Sequence, residues 1–179
     1  MNIDQIIEKI EELKSRNNYI EAEKIVQESL RKHTDDYRLY EELADIYLFQ
    51  NNLVRADEVL QIARELHPES GTGMYLDGYI ATAKWDFDRA IKILSEANTL
   101  LPNNAEILRN LGWAHVMKGD FAKWLSLLRR AHILIPDEPM IINDLAVALM
   151  ATGDEAGAKE MLSLIGQEGL FDTIKKATL

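Results

Sequence analysis

The sequence has no cysteine, and its 179 residues include only four histidines, four prolines and 7% aromatic residues. The absence of cysteine excludes disulfide bonds, a thiol nucleophile and any zinc site built on cysteine. The histidines form no HExxH motif, and the glycines form no phosphate-binding loop. No apolar run approaches the roughly 18 residues that a membrane-spanning helix needs. These absences predict a protein that is not an enzyme, binds no cofactor or metal and does not insert into a membrane.

Basic residues are outnumbered, because 20 Lys and Arg stand against 30 Asp and Glu, for a net charge of −10. Nucleic-acid binding needs a basic surface, so this balance argues against it. The charge is uneven: residues 1–90 carry 19 acidic and 11 basic side chains, whereas residues 91–179 carry 11 and 9. The first residues lack the basic and apolar regions of a secretory signal. We therefore expect a soluble, cytoplasmic protein.

What the sequence does contain is a period of 34 residues. Pro68, Pro102 and Pro136 follow it. Small residues follow it at Ala22, Ala56, Ala90 and Ala158, at Ala44, Gly78, Gly112 and Ala146, and at Ala63, Ala97 and Ala131. A period of this length indicates stacked supersecondary units that bury their apolar faces against one another. It divides the chain into five repeats, 3–36, 37–70, 71–104, 105–138 and 139–172, with a tail at 173–179.

Each repeat contains two stretches in which apolar residues lie three and four positions apart, which predicts two amphipathic helices. In repeat 2 the first stretch runs from Tyr40 to Leu48 and the second from Leu53 to Ala63. A short turn separates the stretches, and its second residue is always Asn or Asp: Asn18, Asn52, Asp86, Asp120 and Asp154. These side chains favour the N-cap of a helix. The pattern predicts five helix-turn-helix units.

These features resemble the tetratricopeptide repeat family, whose signature is a helix pair of 34 residues. The matching residues are Leu108, Leu111, Gly112, Gly119, Phe121, Leu128, Ala131 and Pro136 in repeat 4, and Tyr40, Leu43, Ala44, Tyr47, Ala56, Leu60, Ala63 and Pro68 in repeat 2. The resemblance covers about 170 of the 179 residues. It implies an all-α protein, a right-handed superhelical solenoid of antiparallel helix pairs, in a single repeat domain over residues 1–179. The first helices would line a concave groove.

Two tryptophans depart from the repeat pattern. Trp124 occupies a repeat position, or column, that is alanine in the other four repeats. In the family this is where the two helices of a repeat pack closely. We expect Gly112, on the paired helix, to leave room for the indole, because large and small residues compensate across a core. Trp85 replaces the first residue of the turn, and we expect it to lie at the surface or to contact a neighbouring repeat.

Asp77 is a third departure, because repeats 2, 4 and 5 have leucine in its column. A buried carboxylate without a partner would be costly. We therefore expect the first helix of repeat 3, within 71–83, to be locally rotated. In that case Leu76 and Ile80 would take over the apolar stripe, and Asp77 would leave the core.

The resemblance also implies which side chains face the groove. The candidate partner-binding residues are Glu11, Glu41, Asp45, Phe49, Tyr75, Tyr79, Arg109, Trp113, Val116, Met117, Asn143, Val147 and Met150. Only Arg109 and Asn143 would suit a clamp for a terminal carboxylate, whereas Glu41 and Asp45 would repel one. Acidic side chains toward one end and aromatic and Met side chains toward the other predict a protein or peptide ligand with apolar anchors and a basic end. The alternative is that these rings pack on the neighbouring repeat.

The sequence thus predicts a scaffold or adaptor that binds a peptide segment of a partner protein in its groove. A self-associating structural scaffold and a secretion-type chaperone that shelters an apolar segment remain open as alternatives. The tail bears on self-association. Leu170, Phe171 and Ile174 lie at helical spacing and predict a cap over the last repeat. Without such a cap, this apolar C-terminal edge would make a homo-oligomer.

Overall fold

The computed structural model describes residues 2–178, and every regular element within them is helical. The first helices of the repeats are α1 (Ile3–Ser15), α3 (Tyr37–Phe49), α5 (Gly71–Ala83), α7 (Ala105–Met117) and α9 (Pro139–Ala151). The second helices are α2 (Tyr19–Leu30), α4 (Leu53–Leu66), α6 (Phe87–Leu100), α8 (Phe121–Leu134) and α10 (Glu155–Leu164). A 3₁₀ turn (Glu168–Leu170) and α11 (Phe171–Thr178) follow. Both sets of helices begin at intervals of 34 residues, so the predicted repeats and the all-α fold of paired helices are confirmed.

Polar side chains set the beginning of every second helix. The N-cap residues are Asn18, Asn52, Asp86, Asp120 and Asp154, and each side chain accepts a hydrogen bond from the backbone N–H three residues later. Such a bond satisfies one of the N–H groups that have no partner within the helix. The predicted caps are confirmed, and they explain why the helix starts keep the period so closely.

The residue before each cap has a left-handed backbone. The φ angle is 57° at Asn17 and Asn51, 83° at Gly119 and 89° at Gly153. Asn and Gly reach this region at little cost, but a bulky residue does not. Trp85 nevertheless occupies it in repeat 3, with φ of 63°. Its side chain is exposed, in agreement with the predicted position at the surface.

The chain divides into two compact halves, an N-terminal half up to Ile80 and a C-terminal half from Ala81 onward. In the N-terminal half, α1 to α4 pack each on the next, and α1 also contacts α3. The largest fully buried side chains of its core are Ile10, Leu39, Ile46, Leu60, Leu76 and Ile80. The prediction that all five repeats form one domain stays a prediction.

The structure corrects the prediction for Asp77. Leu76 and Ile80 are buried as expected, but Asp77 is buried as well and is only 6% exposed. Its Oδ2 lies 2.7 Å from Nη1 of Arg64 on α4. The expected rotation of the helix is therefore wrong: Asp77 keeps its column, because an ion pair with the preceding helix compensates the burial of its charge.

In the C-terminal half, α6 to α10 pack each on the next. Gly112 faces Trp124, as predicted, and a Cβ atom added to Gly112 would lie 3.0 Å from Cδ1 of the indole. Trp124 is buried with Leu128 of its own helix and with Leu145 and other apolar side chains of α9 and α10. A glycine on α7 thus makes room for the largest side chain on α8.

Helix α11 covers the end of the C-terminal half by packing on α9 and α10. Phe171 is buried in the core, and Ile174 packs against it. Nζ of Lys159 lies 4.5 Å from the centre of the Phe171 ring, and Lys175 pairs with Glu155 at 2.8 Å. The predicted self-capping of the last repeat is therefore observed, although the side chain of Leu170 remains exposed.

Candidate protein-binding surfaces

The first helices of the N-terminal half are joined by ion pairs around Lys14. Its Nζ lies 2.8 Å from Glu11, 2.7 Å from Glu42 and 2.6 Å from Asp45. The Lys14 side chain is only 10% exposed. Burial opposes its charge, but the carboxylates of Asp45 and Glu42 hold the pKa of Lys14 above its ordinary value. Two predicted ligand-binding acids, Glu11 and Asp45, are thus occupied by a cation of the same chain.

Three carboxylates around one ammonium leave this Lys14 cluster negatively charged. Burial raises the pKa of Glu42 to about 7; the Lys14 ammonium opposes that shift, and the charges of Glu11 and Asp45 add to it. The Glu42 carboxyl group therefore titrates near neutral pH. The prediction that these acids attract a basic end of a ligand stays a prediction.

Glu41, which was also expected to face a ligand, is buried between α3 and the start of α5. Its Oε1 is inaccessible to solvent and has no hydrogen-bond partner. Burial raises the pKa of Glu41, while the nearby Ser70 hydroxyl and Gly73 N–H favour the charged form. The beginning of α5 covers this carboxylate, so Glu41 does not present an exposed charge as was expected.

The three candidate rings of the N-terminal half differ in their surroundings. Tyr75 is half-buried and packs against the core, as the alternative interpretation expected. Tyr79 keeps part of its ring exposed. Phe49 is exposed at the end of α3 and stacks on Tyr19, with 4.9 Å between ring centres. Two of these rings therefore remain accessible in part.

In the C-terminal half, the candidate residues lie on α7 and α9. Nε of Arg109 lies 2.6 Å from Oδ2 of Asp144, and this ion pair joins the two helices. One turn further along α7, the Trp113 ring is 50% exposed. Val116 and Met117 follow it by three and four residues, so they lie on the same side of the helix. Both are half-buried.

Helix α9 completes this surface. Asn143 and Val147 are half-buried and lie one helical turn apart, whereas Met150 is buried in the core. Val116 and Val147 pack against that core from the outside. We define the α7–α9 face by its accessible members, Trp113, Val116, Met117, Asn143 and Val147. It combines one half-exposed indole with an apolar floor, and the Arg109–Asp144 pair lies beside it.

Sequence reasoning missed the partners of the charged candidates. Lys14 pairs with Glu42 and Asp45, and Arg109 pairs with Asp144, across neighbouring first helices. The sequence separations are 28, 31 and 35 residues. These values lie within two helical turns of the 34-residue period. A search for opposite charges at about that separation would have found each pair.

Residues 6–70 match the model of a family described as the N-terminal TPR region of the fimbrial assembly protein FimV. No protein of curated function matches the sequence. Several solved structures share the fold, each with no more than 18% identity. The type IV pilus biogenesis factor PilW, at 18% identity, superposes with a TM-score of 0.80 over 97% of this chain and 84% of its own.

Pseudomonas aeruginosa pilF is similar to this chain with 17% identity and a TM-score of 0.76, over 98% of this chain and 86% of that one. The Cut9–Hcn1 hetero-tetramer of APC/C contains a chain of 18% identity and TM-score 0.84, matched over 95% of this chain and 35% of that one. The chain therefore spans about a third of that protein's length. Identities this low show a common fold and nothing finer.

Among residues 2–178, no group of three or more His, Asp or Glu side chains is arranged to hold a metal ion. No described helix combines the length and the apolarity that a bilayer crossing requires. The accessible chemistry is that of rings, aliphatic side chains and paired charges, which suits contact with another protein.

Proposed function

We propose that this tetratricopeptide repeat protein is a protein-binding scaffold without catalytic activity of its own, and that its α7–α9 face binds an apolar segment of a partner protein. The half-exposed ring of Trp113 is the observation that carries this proposal. Tryptophan is the residue most often found as an energetic anchor of interfaces, and its neighbours here are apolar. Repeat proteins of this fold act as interaction scaffolds, which supports the same role.

The chemistry of the face selects the kind of ligand. Met117 is flexible and fits different apolar partners, while Val116 and Val147 give a fixed floor. Arg109 is already paired with Asp144, so its charge is neutralised without the terminal carboxylate of a ligand. An internal apolar segment therefore suits the face better than a free C-terminus does. A chaperone that shelters such a segment would use the same surface.

The comparisons suggest a setting for this binding. The family model that matches residues 6–70 is named for fimbrial assembly, and the PilW structure is described as a pilus biogenesis factor. As a second candidate function, the chain would hold a component of such an assembly. That reading depends on the match of repeats 1 and 2, whereas the binding proposal depends on Trp113.

Affinity capture with three purified proteins tests the proposal: the wild type, Trp113→Ala and Trp85→Ala. Both tryptophans are exposed, but Trp85 lies at a turn outside the α7–α9 face, so Trp85→Ala is the matched control. Proteins retained by the wild type and the control but lost by Trp113→Ala would be identified by mass spectrometry. For a peptide from such a protein, we expect Trp113→Ala to weaken binding by about 2 kcal/mol, or roughly thirty-fold. Equal capture by all three proteins would refute the site.

A further inference from the structure

Helix α8 reverses the charge of the molecule. It contains Lys123, Arg129 and Arg130 and no acidic residue. The other second helices all contain acidic residues: Glu21, Glu23 and Glu28 in α2, Asp57, Glu58 and Glu65 in α4, Asp88 and Glu96 in α6, and Glu155 and Glu160 in α10. The three cations of α8 are exposed and form no ion pair within the described part of the chain. A protein of net charge −10 therefore presents an unneutralised basic helix.

The exposed side of α8 has a defined spacing. Lys123 and Arg130 are seven residues apart, so they lie on one side of the helix, about 10 Å from each other along its axis. Ile133 follows Arg130 by three residues on the same side and is 78% exposed. Basic groups at this spacing, with an apolar side chain at one end, call for a partner with acidic groups at the same spacing and an apolar side chain beside them.

Helix α2 of the same chain carries that complementary pattern. Glu21 and Glu28 are also seven residues apart, and both are exposed; Lys24 lies between them, with its Nζ 3.9 Å from Oε1 of Glu21. Ile20, next to Glu21, is 82% exposed. Ile20 and Ile133 are the two most exposed large apolar side chains among the described residues. The acids of α2 take the same repeat columns as the bases of α8, because 21 and 123, like 28 and 130, are separated by three periods.

We infer that α2 of one copy binds α8 of a second copy in antiparallel orientation. Glu21 then lies opposite Arg130, and Glu28 lies opposite Lys123. The same alignment brings Ile20 and Ile133 to one end of the contact. At the other end it places Arg31, just after α2, opposite Asp120, just before α8. Opposite charges therefore meet at three points along the two helices, whereas Lys24, the one cation within α2, lies between Glu21 and Glu28 and also approaches α8.

This contact goes beyond the proposed function, because it leaves the α7–α9 face unused. It joins two different surfaces, so one copy can bind a second through its α2 or through its α8. Exposed ion pairs contribute little individually, so the association is weak and depends on the concentration of the protein. At about 0.15 M salt the long-range repulsion between acidic copies is screened, while pairs in contact still attract each other.

Light scattering or sedimentation across protein concentration tests this contact. The wild type at about 0.15 M salt should rise above the monomer mass as concentration increases and return to it at about 1 M salt. Arg130→Glu and Glu21→Arg each place like charges opposite each other. Either variant should need at least a ten-fold higher concentration to associate. Circular dichroism melts would show that both variants remain folded.

Mixing the two variants gives the sharpest result. The contact between Arg130 of the Glu21→Arg protein and Glu21 of the Arg130→Glu protein is the wild-type one, and the reverse contact has its charges exchanged. The mixture should therefore associate like the wild type, although neither variant does so alone. Lys92→Glu, at an exposed residue of α6, is the control for the change in net charge and should associate normally.

Three outcomes would overturn the inference: a wild type that stays monomeric at every concentration, variants that associate as the wild type does, or a mixture that remains monomeric. A monomeric wild type that binds poly-glutamate through Arg130 would assign α8 to another acidic protein instead. Loss of the α2–α8 contact would leave the capture experiment with Trp113→Ala unaffected, so the two proposals fail independently.

Discussion

The first helices of neighbouring repeats form different surfaces in the two halves of the molecule. In the N-terminal half the facing sides of α1 and α3 are joined by the Lys14 cluster. In the C-terminal half α7 and α9 share one ion pair and leave Trp113 half-exposed above an apolar floor. Residues 1–80 carry 17 acidic and 9 basic side chains, for a net charge of −8, whereas residues 81–179 carry 13 and 11, for −2. A repeat therefore fixes where side chains point, and the residue types decide whether the surface is closed or open.

The halves also differ in how their helix pairs fill space. In repeat 2, Ala44 on α3 and Ala56 on α4 are both fully buried. In repeat 4, the corresponding positions are Gly112 and Trp124. The methyl group absent at Gly112 lets the much larger indole of Trp124 approach α7, so the two helices stay packed with different residue types at these positions. The two halves therefore fill the same two repeat positions with different residue types.

The largest expected effect comes from breaking this complementarity. Trp124→Ala should lower the free energy of unfolding by about 3–5 kcal/mol, because it leaves a cavity beneath Gly112. Gly112→Leu alone should cost about 1–3 kcal/mol through overpacking against the indole. The double variant should lose less than the sum of the two, because leucine fills part of the cavity. Chemical denaturation of the four proteins measures the cycle.

The N-terminal half supplies the control for that cycle. Ala44→Leu should overpack repeat 2, but Ala56→Gly removes too little volume to relieve it. The comparison predicts a strong coupling in repeat 4 and a weak one in repeat 2. Additive losses at Gly112 and Trp124 would mean that these two side chains do not share one space, contrary to the 3.0 Å approach.

A smaller effect is expected at the C-terminal end, which has a cap of its own. Deleting residues 169–179 removes Phe171 from the core and uncovers α9 and α10. We expect a loss of about 2–3 kcal/mol and association that rises with concentration, because an apolar edge becomes exposed. This association should persist at high salt, which distinguishes it from the α2–α8 contact. Leu170→Ala, at an exposed side chain, should change neither the melting temperature nor the association state.

The beginnings of the helices could be predicted from the sequence because local chemistry determines them. Asn18 and its equivalents cap each second helix wherever they occur, so the period alone locates the helices. The cap formed by Phe171 and Ile174 was predictable for a similar reason, since helical spacing identified its apolar side.

The charged positions could not be predicted from their columns alone. Asp77 stays in the core because Arg64 lies on the preceding helix, and no property of Asp77 reveals that partner. Glu41 is buried because the beginning of α5 approaches it, which a repeat register does not specify. A column gives the direction of a side chain, whereas its burial and pairing depend on what a neighbouring helix places there.

The smallest expected effect concerns Glu42 and sharpens the contrast between a closed and an open face. Its pKa is about 7 in the folded protein and near 4.5 when unperturbed. Between these values the folded state binds more protons at Glu42 than the unfolded state does, so its contribution to stability falls as pH rises from 5 to 8. The free energy of unfolding of the wild type, relative to Glu42→Gln, should therefore decrease by about 1–3 kcal/mol over this range. Lys14→Met should move the decrease to higher pH, because the Lys14 ammonium opposes the rise in the pKa of Glu42 and its removal raises that pKa further. A difference between wild type and Glu42→Gln that does not change with pH would show that the Lys14 cluster is solvated and that the N-terminal face is as open as the other.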